Sequence, residues 1–210
     1  IDDDQNGFVD DIVGWDFADN DAFPHDVTKD TIAKDGKVLP GNMGHGTHCA
    51  GNVASRGNNG LGLAGVAPFA KIMVLRFITE SGSGTTADAI KSIYYAADNG
   101  AKIISASWGG EGASDDPDNI ALKMAIEKIE QKGVLFVVAA GNSGYNMNDT
   151  HKKIYPAATV LPNILSVAAS DLDDELAFFS NSGNKYIHLA APGHVIMSTV
   201  PLTEETKSLF

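Results

Sequence analysis

VLFVVAAGNSG, residues 134–144, runs through seven apolar positions and then turns into glycines flanking a short polar pair. An unbroken apolar run of strand length, closed by turn residues, is the pattern of a strand buried on both faces. Two runs upstream read the same way: KIMVLRF (71–77) and AKIISAS (101–107). Between them, Ala89/Ile90, Ile93/Tyr94 and Ala97 are spaced for one face of a helix over 85–99, with Gly100 as its stop. Asp118 is placed to cap a second helix running to about Lys132, ahead of Gly133. ILSVAA (164–169), YIHLAA (186–191) and HVIMST (194–199) read as shorter strands. Strands alternating with helices specify an α/β fold, a mostly parallel sheet covered by helices. Residues 1–44 are polar, rich in Asp, Asn and Gly, and read as loops with short strands. No repeat or interdomain linker interrupts the chain, so 1–210 is expected to be a single domain.

Size and charge narrow the function classes. The chain has 210 residues, 43% of them hydrophobic, enough for a core. Its net charge is −12, which disfavours nucleic acid as a partner, because phosphate contacts need clustered Lys and Arg. No apolar run approaches the roughly 18 residues of a membrane span, so no membrane partner is expected. One cysteine excludes an internal disulfide.

GHGTHCAG (44–51) opens a stretch of small residues expected to form a helix with His45 in its first turn. A helix start holds an imidazole rigidly with one side open. An isolated histidine in a glycine-rich turn is also an ordinary structural residue. His45 and His48 have no third ligand at zinc spacing. In AAGNSG (139–144), glycines let main chain approach a ligand closely, and Asn142 can donate its amide to a developing oxyanion. SASWGG (105–110) is either a turn or an edge that pairs with an extended peptide. The acidic loops point to a hard cation. Asp2, Asp4, Asn6, Asp10 and Asp11 surround Gly7 much as in a calcium loop, although Val13 stands where an EF-hand needs Glu. Asp16, Asp19 and Asp21 bring three carboxylates within six residues, which repel unless hydrated or bridged by a cation.

Taken in order, these motifs resemble the subtilisin-like serine proteases, thermitase-like around the histidine. GWDFADND, GHGTHCAG, GNNGLGLAGVAP (57–68), SWGG, AAGNSG, YPA (155–157) and FSNSG…LAAPG…STVP (179–201) follow in the family's order over nearly the whole chain. The resemblance implies a three-layer α/β/α peptidase domain. His45 would be the general base and Asn142 part of the oxyanion hole. Ser107, Trp108 and Gly109 would pair with substrate backbone on one side, and Gly82, Ser83 and Gly84 on the other. Ala139 and Gly141 would line the first specificity pocket, leaving room for a large apolar side chain. Ca2+ would be bound by the loop at 16–21 and by Asn59 with the carbonyls of Gly57, Leu61 and Leu63. Cys49 would lie beneath His45 as a buried small residue. Polypeptides would be the substrates, and secretion the natural context for a calcium-dependent enzyme.

The family's triad also needs an aspartate in a D-T-G or D-S-G context and a serine in G-T-S-M-A. Neither motif occurs in the 210 residues, and Ser166, Ser182 and Ser198 lack the context to replace the serine. The expectation is a catalytic domain incomplete at both ends, inactive alone, with the N- and C-terminal parts of its own domain as partners. The competing reading is a non-catalytic relative that binds peptide or calcium. An unrelated nucleotide-binding domain would need G-x-G-x-x-G in a phosphate-binding loop after the first strand, and no glycine cluster here fits in that context.

Overall fold

The computed structural model describes residues 2–26, 31–32, 38–39, 44–149 and 151–201. The chain divides into two compact units, Ile1–Ser92 with Met197–Phe210, and Ile93–Ile196. The expected helix over 45–57, the 85–99 helix and the first three strands are all present, with shorter ends.

In the first unit, β1 (Gly14–Asp16) pairs in parallel with β4 (Val74–Arg76), while β2 (Thr31–Ile32) and β3 (Val38–Leu39) form a small antiparallel pair. Gly14 is required at the β1 crossing: its φ is 131°, and a Cβ there would run into the Val74 carbonyl. The register sets Asp16 opposite Arg76. Helix α1 (His45–Ala54) follows, with the left-handed Gly44 (φ 73°) as its N-cap. Helix α2 (Thr86–Asp98) ends where Gly100 takes φ 85°.

The second unit holds a four-stranded parallel sheet in the order β10-β9-β7-β5. Its strands are β5 (Ile103–Ala106), β7 (Leu135–Ala139), β9 (Ile164–Ser170) and β10 (Leu189–Pro192). A short antiparallel pair, β6 (Gly110–Glu111) with β8 (Ile154–Tyr155), extends the chain that leaves β5. Phe136 and Val138 of β7 are buried, as are Ile164 and Ala168 of β9. Helix α3 (Pro117–Glu130) buries Leu122, Ala125, Ile126 and Ile129, the i, i+3, i+4, i+7 stripe. Asn163, buried ahead of β9, donates to the Ile126 carbonyl at 2.8 Å and ties α3 to the sheet.

Three expectations need correction. The cap of α3 is Asp116, whose carboxylate accepts from Asp118 N at 2.9 Å; Pro117 takes the first helical position and moves the start upstream. The strand expected from Tyr186 begins at Leu189, because Tyr186 and Ile187 donate their N–H groups to the Gly183 carbonyl in a turn. HVIMST (194–199) forms no strand. Ser198 and Thr199 instead donate their hydroxyls to the His48 and Thr47 carbonyls of α1, at 2.7 and 2.8 Å.

Candidate active site

His45 lies in the first unit. His45 is the first residue of α1 and is half-buried. One turn on, Cys49 Sγ lies 3.8 Å from His45 Nε2. That contact raises the imidazole pKa; burial opposes the rise, and the charge of Asp26 adds to it. His48 faces away from this pair, its Nδ1 3.2 Å from Asn52 Nδ2. The segment at 198–201 lies across the helix: Pro201 sits on Gly44, and Thr199 and Ser198 sit on Gly51, where a side chain would have no room. Gly82, Ser83 and Gly84 form a tight exposed turn, closed by Thr79 N donating to the Ser83 carbonyl at 2.8 Å and by Gly82 N donating to Thr79 O at 2.9 Å.

A cleft lies at the C-terminal ends of the parallel strands in the second unit, where sites form in such sheets. Its volume is about 240 Å³, and it is lined by Ser107, Ala139, Gly141 and Asn142 together with residues from β9 and β10. Trp108 packs edge-on against Phe136, ring centroids 6.2 Å apart, and anchors the segment leaving β5. Asn142 is exposed on the loop after β7. That loop is held from behind by Asn181, fully buried, which accepts from Ser143 N (3.1 Å) and Tyr145 N (2.8 Å) and donates to the Ala140 carbonyl (2.8 Å). Gly141 adopts φ 99° and lies against the Asn181 amide, so only glycine fits there. Neither Ser166 nor Ser198 is a nucleophile in this arrangement: their hydroxyls donate to the carbonyls of Ala157 and His48.

The sequence model of the subtilase family, peptidase S8, matches residues 4–209. The chain belongs to the subtilase family. Thermitase of Thermoactinomyces vulgaris is 41% identical over 188 residues, 90% of this chain and 57% of that protein. The major intracellular serine protease of Bacillus subtilis is 39% identical over 191 residues, 90% of this chain and 54% of that protein. The crystal structure of a cold-adapted subtilisin-like serine proteinase superposes with a TM-score of 0.66 at 31% identity, covering 89% of this chain and 57% of that one. The chain therefore spans a little over half the length of these relatives.

Around the subtilase cleft, sequence reasoning missed two residues. Asn181 was legible only as one letter of FSNSG. Ile154 carried no signal at all. A Cβ on Gly109 or on Gly141 would come within 3.0 or 3.2 Å of the Ile154 side chain. Ile154 is thus buried behind Gly109 and Gly141, outside the residues that line the cleft.

The calcium candidates were tested against their donor geometry. In the first loop, Asn6 Nδ2 donates to Asp11 Oδ2 (2.8 Å), and Asp2 accepts from the Asn6 and Gly7 amides. In the second, Asp16 is buried, and both it and Asp19 pair with the Arg76 guanidinium at 2.5 and 2.6 Å. Asp21 accepts from Phe23 N. In the third, Asn59 Oδ1 accepts from Leu61 N in an exposed loop. Among the described residues, no three His, Cys, Asp or Glu side chains are arranged to hold a metal ion. No helix among them is long and apolar enough to cross a membrane.

Proposed function

We propose that the protein carrying this chain is a subtilisin-like serine endopeptidase. The observation that carries the reading is His45 at the start of α1, on GHGTHCAG, in a chain of the subtilase family. His45 takes the proton of the attacking hydroxyl and returns it to the leaving amine. Asn142, projecting from a loop braced by Asn181, donates to the oxyanion. Residues 107–109 and 82–84 pair with the backbone of a polypeptide substrate, and Ala139 and Gly141 shape the pocket for its side chain.

The nucleophile and the aspartate that orients His45 come from outside these 210 residues, which contain neither motif. The chain by itself is inactive on this reading, because no acyl-enzyme forms without the serine. Large apolar side chains left in solvent, Phe69 at 98% and Val66 at 94% exposure, support further segments of the domain packing here. The test is hydrolysis of a denatured protein by the full-length protein and by its His45→Ala and Asn142→Ala variants, with a serine-directed reagent. Wild-type activity abolished by the reagent and by His45→Ala supports the reading. A full-length protein that binds peptide without cutting it favours the non-catalytic alternative.

Ca2+ is proposed as a structural ligand of the acidic loops and of the 57–63 loop. The oxygen donors of these loops and the net charge of −12 support it; as placed, the described carboxylates form no metal-binding cluster, and at Asp16 and Asp19 the ion would displace Arg76. Export from the cell, where calcium is plentiful, is proposed with it. One relative is by name an intracellular protease, so fractionation of the producing cells is the test.

A further inference from the structure

Helix α1 has no cap of its own. Gly44 offers no side chain, and no acidic residue occupies the first turn. The first amides of a helix nevertheless need acceptors, and its positive end favours a carboxylate. Asp26 supplies one from a loop 21 residues upstream of its partner: its Oδ2 accepts both Thr47 N and Thr47 Oγ1, each at 2.7 Å. The same oxygen lies over Gly46, 3.5 Å from where a Cβ would stand. The carboxylate therefore sits over the turn that begins with His45.

We propose that Asp26 is a positioning residue for His45: it fixes the first turn of α1 through Thr47 and holds a negative charge over that turn. The role as general base rests on the reading above, but the placement of Asp26 does not. Its charge and the Cys49 thiol both act to raise the proton affinity of His45. Of the other groups near it, His48 is turned to Asn52, and the 198–201 segment crossing the helix has no ionisable side chain. Asp26 stands outside the D-T-G and D-S-G contexts of the triad aspartate, and its Oδ2 is engaged by Thr47.

The experiment compares Asp26→Asn, Asp26→Ala and Thr47→Val in the full-length protein, following the His45 Cε1–H resonance across pH together with the pH profile of kcat/KM. Asp26→Asn keeps an oxygen for Thr47 but removes the charge. His45 should then titrate at lower pH than in the wild type, with the acidic limb of activity shifted the same way. Thr47→Val should lower Tm while the charge, and so the His45 titration, stays in place. Asp26→Ala should show both effects; if it fails to fold, Asp26→Asn decides alone. A His45 titration in Asp26→Asn that coincides with the wild type would overturn the proposal. A wild-type protein that cuts no peptide would sink the protease reading instead, and the resonance still reports on Asp26 without turnover.

Discussion

Replacing Asn181 with alanine should damage the cleft more than its distance from any reacting atom suggests. The carboxamide is fully buried and makes three hydrogen bonds to main chain on either side of Asn142. Each such bond is worth about 1 kcal/mol net, and a buried carbonyl left without its donor, here that of Ala140, costs about 1–3 kcal/mol. With the void that remains, the loss is about 3–5 kcal/mol, a large share of the about 5–15 kcal/mol that holds a typical domain folded. The loop at 140–145 then loses its brace, and Asn142, the proposed oxyanion donor, loses its placement. Losing one oxyanion donor outright costs about 10²–10³ in kcat, a range taken from subtilisin itself, and so an upper bound for Asn181→Ala. The assay is chemical unfolding with amide exchange at Ser143 and Tyr145, beside kcat and KM of the full-length enzyme. The expected result is faster exchange at both amides and a fall in kcat larger than any rise in KM. Unchanged exchange with a stability loss under about 0.5 kcal/mol, the usual scale of a surface substitution, would refute the reasoning.

Arg76→Ala strands the buried Asp16 carboxylate without its partner. A loss of about 3–5 kcal/mol is expected by thermal or urea unfolding, and Asp16→Asn in the same chain should recover part of it. Ile154→Ala removes a buried side chain packed behind Gly109 and Gly141; a loss of about 2–5 kcal/mol is expected by thermal or urea unfolding. EDTA should lower Tm, and added Ca2+ restore it, since a ligand held only by the native state stabilises that state; an unchanged Tm counts against the metal. A raised imidazole pKa keeps His45 protonated to higher pH, and a general base must be neutral. The acidic limb of kcat/KM should therefore lie above the ordinary histidine value of about 6.5, as a pH profile on a neutral peptide would show.

Apolar runs and glycine stops made β5, β7, β9 and α2 readable from the chain, because strand-length apolar runs and a left-handed stop are local properties written in adjacent residues; burial on both faces was not so readable, since β5 leaves Ile103 and Ser105 exposed. GHGTHCAG placed His45 at a helix start for the same reason: small residues permit the helix and the glycine begins it. The cap of α3 shows where local reading becomes ambiguous. Two aspartates flank Pro117, and the fixed φ of proline selects the one before it. Other features lay beyond local reading altogether. Asn181 acts on a loop 36 to 41 residues away, Asp26 on a helix 21 residues on, and Ser198 and Thr199 on carbonyls 150 and 152 residues back. Residues 194–199 have a strand's composition, yet the Ser198 and Thr199 hydroxyls bond to α1. Sequence alone determined which residue types this subtilase brings to a cleft. Tertiary structure decided which side chains brace them, because a buried polar group takes its partner from whatever the fold brings within about 3 Å, whatever the distance along the chain.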